Sequence, residues 1–237
     1  MKITWLTDIH LNLLNRNQRL AFYDEISKAD REWLLITGDI AEPPLTVTVL
    51  EELCQHVPCT IYFVLGNHDY YQQTVAQTRA EILALCEQYP QLHYITLSEG
   101  VLLQPELAMV GVDGWIDFRY GEATEAATLR YADENIIGLT LTPQNSVEAI
   151  ISKRQALADA DAAHLSKQLT KMIDSQAKKI IILTHVPPFV KAWWHKDFLF
   201  DEDLLAVFTA QATGEIIDQF ARQYPEINFL LLCGHVH

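Results

Sequence analysis

The sequence is short of positive charge. Against 31 Asp and Glu it carries 17 Lys and Arg, a formal charge of −14, and no basic stripe runs along it. Wrapping a nucleic-acid backbone depends on Lys and Arg meeting phosphates, so a protein with that as its main task is disfavoured. A small anionic substrate stays open, because a bound cation reverses the field locally. Long apolar runs are also missing, so no transmembrane helix is expected. No secretory leader is visible either: Met1-Lys2 passes directly into Ile3–Thr7, only a strand's length, and Asp8 follows. The four cysteines, Cys54, Cys59, Cys86 and Cys233, form no CxxC pair and show no framework spacing. They are expected as reduced thiols in a cytoplasmic protein, a Cys54–Cys59 bridge being the less favoured alternative. With nine Gly and nine Pro, the chain has no collagenous, low-complexity or linker segment.

What is present is ordinary globular material. Hydrophobic residues make up 49% of 237 positions, ample for a sizeable core in one large domain or two small ones. Short apolar runs at Ile3–Thr7, Trp33–Thr37, Thr60–Leu65, Leu107–Val112, Ile180–Thr184 and Phe229–Cys233 read as strands. Their continuous rather than alternating apolarity suggests burial on both faces. Between them, Gln18–Ala29, Thr46–His56, Thr74–Tyr89 and Gly214–Tyr224 have helical spacing, and Ser146–Ala177 reads as a helix or helix pair. Strands alternating with helices predict an α/β fold with helices packed outside the sheet.

Five of these strands run into polar clusters: Asp8-Ile9-His10, Gly38-Asp39, Gly66-Asn67-His68-Asp69, His185 and Gly234-His235-Val236-His237. In open α/β sheets, ligands bind beyond the carboxyl ends of the strands, so parallel neighbours would bring all five clusters to one edge. Asp, His and Asn offer oxygen and imidazole nitrogen without thiolate, a donor set suited to Mn, Fe, Co, Ni or Zn. There are more candidate ligands than one ion needs, and a carboxylate can bridge two; paired metals recur in phosphatases and nucleases. Gly38, Gly66 and Gly234 each stand between a strand and a candidate ligand, where the chain must turn sharply. Asp-x-His and Gly-Asp are weak signals alone. Gly-His-x-His is stronger, with roughly 0.01 occurrences expected by chance at this composition.

The ordered set Asp8-x-His10, Gly38-Asp39, Gly66-Asn67-His68-Asp69, His185 and Gly234-His235-x-His237 resembles the calcineurin-like metallophosphoesterases, and it spans nearly the whole chain. The resemblance implies a four-layer sandwich, two mixed β-sheets between outer helices, with a dinuclear metal site at the carboxyl edge of the strands. It implies that Asp8, His10, Asp39 and His237 hold one divalent ion, and that a bridging Asp39 with Asn67, His185 and His235 holds the second. It implies that His68 faces the substrate phosphate and stabilises or protonates the leaving oxygen, with Asp69 orienting its ring. The implied reaction is hydrolysis of a small phosphodiester or phosphomonoester by a hydroxide bridging the metals and attacking phosphorus in line. A single domain over 1–237 is expected, with a helical insertion around 114–178 and without the strands that usually follow the last motif in the family. A metal-binding scaffold without turnover and a nuclease are the competing readings. A serine hydrolase is not expected, since no Gly-x-Ser-x-Gly elbow occurs.

Other candidates are weaker. Tyr70 and Tyr71 either stack on an aromatic part of the substrate or pack in the core. Asp113-Gly114-Trp115 is expected in the pocket wall or as a buried strand end. Trp193-Trp194-His195, after Pro187-Pro188-Phe189, suggests an aromatic lid or an ordinary hydrophobic loop. Lys191, Lys196 and Arg119 are the basic residues to test for phosphate contact. His56, His93 and His164 are expected as surface or capping residues.

Overall fold

A computed structural model describes residues 2–120, 135–140, 142, 145–192 and 206–235. It contains two four-stranded sheets. The first comprises β1 (Ile3–Leu6), β2 (Trp33–Thr37), β3 (Thr60–Val64) and β4 (Leu92–Tyr94), in that order and all parallel. The second comprises β5 (Val101–Gln104), β6 (Leu107–Gly111), β7 (Lys179–Leu183) and β8 (Asn228–Leu232). There β6, β7 and β8 are parallel, and antiparallel pairing is confined to β5 and β6. Among the described residues five α-helices accompany them: α1 (Arg16–Ser27), α2 (Leu45–His56), α3 (Val75–Gln88), α4 (Val147–Asp174) and α5 (Gln211–Gln223).

The period-2 alternation of strand side chains accounts for the layers. In the first sheet, Leu34, Ile36, Ile61 and Phe63 point outward and pack with Tyr23 of α1, Val49, Leu50 and Leu53 of α2, and Ile82 and Leu85 of α3. The intervening Leu35, Tyr62 and Val64 point inward and meet Met109, Ile181 and Leu183 of the second sheet. That sheet's outer face, with Ala108, Val110, Ile180 and Ile182, packs on Leu165, Leu169 and Met172 of α4 and Ile217 and Phe220 of α5. Helices, sheet, sheet and helices therefore form four layers, and central strands buried on both faces read as unbroken apolar runs.

Two strands escape the sequence reading. β4 has three residues, and β5 is an edge strand whose exposure alternates; neither carries an apolar run long enough to register. Ser146–Ala177 resolves into the single helix α4, opened by Ser146, whose hydroxyl accepts the Ala149 N–H. α4 is the crossover between parallel β6 and β7, so much of the stretch expected as an insertion around 114–178 belongs to the sandwich itself; 121–134 lies outside the described residues. Among the described residues no helix is long and apolar enough to cross a membrane. The cysteines are free thiols. Burial pushes Cys54 up to about 12 and Cys86 and Cys233 up to about 11, away from thiolate chemistry.

Candidate metal centre

The loops leaving β1, β2, β3, β7 and β8 converge at the carboxyl edge, and they do so with strained backbone. Eight non-glycine residues among those described have positive φ, and Asp8 (50°), His10 (40°), Asp39 (50°) and His235 (72°) are four of them. Left-handed conformations cost energy for residues with a Cβ, and they persist where surrounding structure imposes them, often at functional sites. The approach of the loops is close enough to demand glycine. A Cβ on Gly66 would lie 2.2 Å from Asp39 Oδ1, and one on Gly38 would lie 2.5 Å from the Gly66 nitrogen.

Six of the seven candidate ligands meet there; the seventh, His237, lies outside the described residues. His185 Nδ1 stands 2.8 Å from the Thr37 carbonyl oxygen. A carbonyl only accepts, so Nδ1 carries the proton and Nε2 presents its lone pair. Nε2 faces Asn67 Oδ1 at 3.0 Å, His235 Nδ1 at 3.3 Å and Asp39 Oδ1 at 3.4 Å. Asn67 Oδ1 lies 3.1 Å from His235 Nδ1. On the other side of the same carboxylate, Asp39 Oδ2 faces His10 Nε2 at 3.6 Å. Asp8 accepts the His235 backbone N–H and the Thr7 hydroxyl. Asp8, Asp39 and His185 each offer a ligand atom within 4.8 Å of the others. Lone pairs converging in a buried place repel one another and suit a cation among them. A ring N–H spent on a carbonyl, as in His185, is the usual support of a metal-bound imidazole. The donor set therefore fits divalent metal ions.

His68 stands apart. Its ring nitrogens meet residues outside the ligand set: Nδ1 is 3.3 Å from Glu42 Oε1, and Nε2 is 3.2 Å from the Tyr71 hydroxyl. The ring also packs edge-on against His10, with centroids 4.8 Å apart. Here the sequence expectation needs correcting. Asp69 does not orient this ring. Its carboxylate is fully buried and accepts the backbone N–H groups of Ile40 (3.0 Å), Ala41 (3.0 Å) and Gly66 (2.8 Å). Asp69 ties the loop after β2 to the loop after β3, and the carboxylate beside His68 is Glu42. Burial and the neighbouring Asp39 charge push the Asp69 carboxyl up, against the pull of the Ala41 and Gly66 N–H groups. The signal for Glu42 was available as a carboxylate three residues beyond Asp39 on the same loop.

Asp113 lies behind the candidate ligands, not in a pocket wall. Its Oδ1 accepts the Leu65 N–H (2.8 Å) and the Thr96 hydroxyl (2.6 Å). Its Oδ2 accepts Tyr70 (2.5 Å), Tyr94 (2.6 Å) and the Arg79 guanidinium (2.9 Å). Its backbone carbonyl accepts the His185 N–H (2.8 Å). Through its carboxylate Asp113 holds together the ends of β3, β4 and β6, and through its backbone carbonyl it ties in the end of β7, so one residue fixes the chain on which Asn67 and His185 are mounted. Burial and the Asp113 charge hold both tyrosines well above their ordinary range, so they remain hydroxyl donors. Arg79 also reaches Asp161 at 3.1 Å, and Trp115 packs on Tyr70.

The sequence profile of the calcineurin-like phosphoesterases matches residues 1–237. The chain belongs to this family. As a calcineurin-like phosphoesterase it is a metal-dependent hydrolase of phosphate esters. No curated protein matches the sequence significantly. Among solved structures, the crystal structure of phosphopantetheinyl hydrolase (PptH) from Mycobacterium tuberculosis matches with a TM-score of 0.65 and 17% identity, over 100% of this chain and 83% of that one. TT1561 of Thermus thermophilus matches with a TM-score of 0.52 and 13% identity, over 98% and 80%. At these identities the likeness is one of fold.

The remaining candidates of this phosphoesterase divide. Arg119 is engaged by Asp159 at 2.7 and 2.9 Å and by Asp117, so its charge is already matched. Lys191 is exposed in the turn Val190–Ala192. Trp193, Trp194, His195 and Lys196 lie outside the described residues. His56 donates to the Glu52 carbonyl at the end of α2, His164 bonds the Ser98 carbonyl, and His93 stacks on Tyr62. All three are half-buried rather than freely exposed; His56 closes α2 as a capping residue, while His93 packs.

Proposed function

We propose that this phosphoesterase cleaves small phosphate esters at a dinuclear centre. Asp8, His10, Asp39 and His237 would hold one divalent ion, and Asp39, Asn67, His185 and His235 the other. The observation that carries the reading is the Asp39 carboxylate, which turns Oδ1 to His185 and Oδ2 to His10. When bound, the ions would supply an activated water near neutral pH and offset charge on the phosphoryl oxygens. The chain's residues prepare the site for this. Thr37 keeps the His185 proton on Nδ1. The His68 backbone N–H steadies Asp39 Oδ1 at 3.0 Å. The His68 ring is the proton donor to the leaving oxygen, with Glu42 Oε1 at its Nδ1.

One structural neighbour is named as a phosphopantetheinyl hydrolase. That name is compatible with a small phosphate ester here, and the substrate class is best tested directly. With Mn²⁺ added, hydrolysis of bis-p-nitrophenyl phosphate is compared with that of p-nitrophenyl phosphate. Faster cleavage of the diester marks a phosphodiesterase, and faster cleavage of the monoester a phosphatase. Exhaustive chelation is expected to abolish both activities, and Mn²⁺ to restore them with two ions per chain. Full activity after verified metal loss rejects the mechanism. His68→Ala is expected to keep its metals and to lose about a hundredfold or more on an alkyl ester, and much less on a p-nitrophenyl ester. Unchanged alkyl-ester turnover would remove His68 from the reaction.

A further inference from the structure

The segment after His68 is held on both sides of Tyr71. On one side, Tyr70 is anchored through its hydroxyl to Asp113 at 2.5 Å and packs on Trp115. On the other, Gln72 adopts a left-handed conformation (φ 59°) and donates its N–H to the Asn135 carbonyl. The next residue, Gln73, accepts the Ile137 N–H at 2.9 Å. Positive φ at a residue with a long side chain is costly and persists where the surroundings impose it. The reversal turns the Tyr71 ring back onto His68, with ring centroids 4.3 Å apart and the hydroxyl at Nε2. Tyr71 is almost fully buried, so its ring has little freedom to leave.

The chemistry of the two ring partners differs. Glu42 is a carboxylate and accepts, so Nδ1 carries a proton. The Tyr71 hydroxyl both donates and accepts. It donates to Nε2 when the ring is neutral and accepts from Nε2 when that nitrogen is protonated. We propose that Tyr71 is a positioning residue for His68: with Glu42 it clamps the imidazole at both nitrogens, fixes the ring plane and tautomer before the ester binds, and then gives up its place at Nε2 to the leaving oxygen. The inference rests on the reading of His68 as proton donor. It goes beyond that reading in assigning a role to a tyrosine outside the metal-ligand set. Without the hydroxyl, Nε2 loses its partner and the ring gains freedom to turn about its side-chain bonds. The cost then falls on the step that needs the proton, because orientation within hydrogen-bond reach is what makes a general acid effective.

Tyr71→Phe keeps the packed ring and removes the clamp. In the full-length, Mn²⁺-loaded protein, kcat/KM for a series of methyl phosphodiesters with p-nitrophenyl, phenyl and alkyl leaving groups is measured beside wild type and His68→Ala. The expected result for Tyr71→Phe is a loss of less than about twofold with p-nitrophenoxide, rising to about tenfold or more for the alkoxide. Equal losses across the series, or none, with His68→Ala still selective, overturn the role of Tyr71 alone. Absence of selectivity in His68→Ala overturns the proton-donor reading beneath it. A second measurement does not depend on turnover. Imidazole ¹⁵N spectra of the metal-free protein are expected to show His68 as the Nδ1–H tautomer, and Tyr71→Phe is expected to mix the tautomers. A wild-type Nε2–H tautomer, or spectra unchanged by the substitution, also overturns the proposal.

Discussion

Replacing Asp39 with Asn is expected to weaken metal binding by more than about a hundredfold and to abolish phosphoester hydrolysis with it; loss of an outer-shell partner alone commonly costs about 10–100-fold in affinity. The carboxylate has two oxygens on opposite duties, Oδ1 toward His185 and Oδ2 toward His10. An amide supplies one oxygen and one N–H₂ group, and the latter meets a cation with the wrong polarity. Whichever way the amide turns, one subsite loses its ligand and gains a repulsive donor. The metal-free protein is expected to respond in the opposite direction. Asp39 is buried close to Asp8 and Asp69, so removing its charge relieves repulsion and raises, or at least preserves, thermal stability without metal. Isothermal titration with Mn²⁺ and melting with and without metal check both halves. Two ions bound with wild-type affinity in Asp39→Asn would show that this carboxylate is not shared.

Asp113→Asn is expected to destabilise the fold by about 3–5 kcal/mol, the cost of breaking one side of a buried ion pair. At this chain length that corresponds to a fall in Tm of roughly 6–20 °C. The carboxylate accepts five hydrogen bonds, and Tyr70, Tyr94 and Arg79 all converge on Oδ2. Asn presents an N–H₂ group to one set of donors, and a buried donor left unmatched costs its desolvation. Burial works against the Arg79 charge, which Asp113 and its neighbours sustain, so the substitution leaves a cation in place with Asp161 as the remaining carboxylate paired with it among the described residues. The same change loosens Leu65 and the backbone bearing His185, so metal affinity is expected to fall alongside stability. Denaturant unfolding of Asp113→Asn, Tyr94→Phe and the double variant separates the shares. Strict additivity of the two would mean that the network does not act as a unit.

Much of this protein is legible in its sequence. Of the six readable strands, β2, β3, β6 and β7 are central and largely buried on both faces, β1 and β8 are partly exposed edges of similarly apolar sequence, and the five polar clusters stand out where strands stop. Six of the seven candidate ligands meet for that reason: parallel strands deliver their carboxyl ends to one edge whatever the loops do. β4 and β5 are too short to leave a periodic signal, and the spacing over 147–174 suits a single helix and a helix pair equally. The partner of His68 escapes the sequence for a different reason. Asp69 is its neighbour in the chain, but a left-handed Asp39 and the turn at His68–Tyr70 send the Asp69 carboxylate inward to three backbone N–H groups and bring Glu42, 26 residues away, to the ring.

The sequence by itself determined the family, the α/β layering and the chemical nature of the site. These follow from residue type and from the order of strand ends, and both are local properties. Only the tertiary structure decided which carboxylate serves His68, that Tyr71 folds back upon it, and that Asp113 sits behind the ligands rather than facing a substrate. Each of those depends on the path of a loop, on backbone angles that several packed elements impose together, and on contacts between residues far apart in the chain.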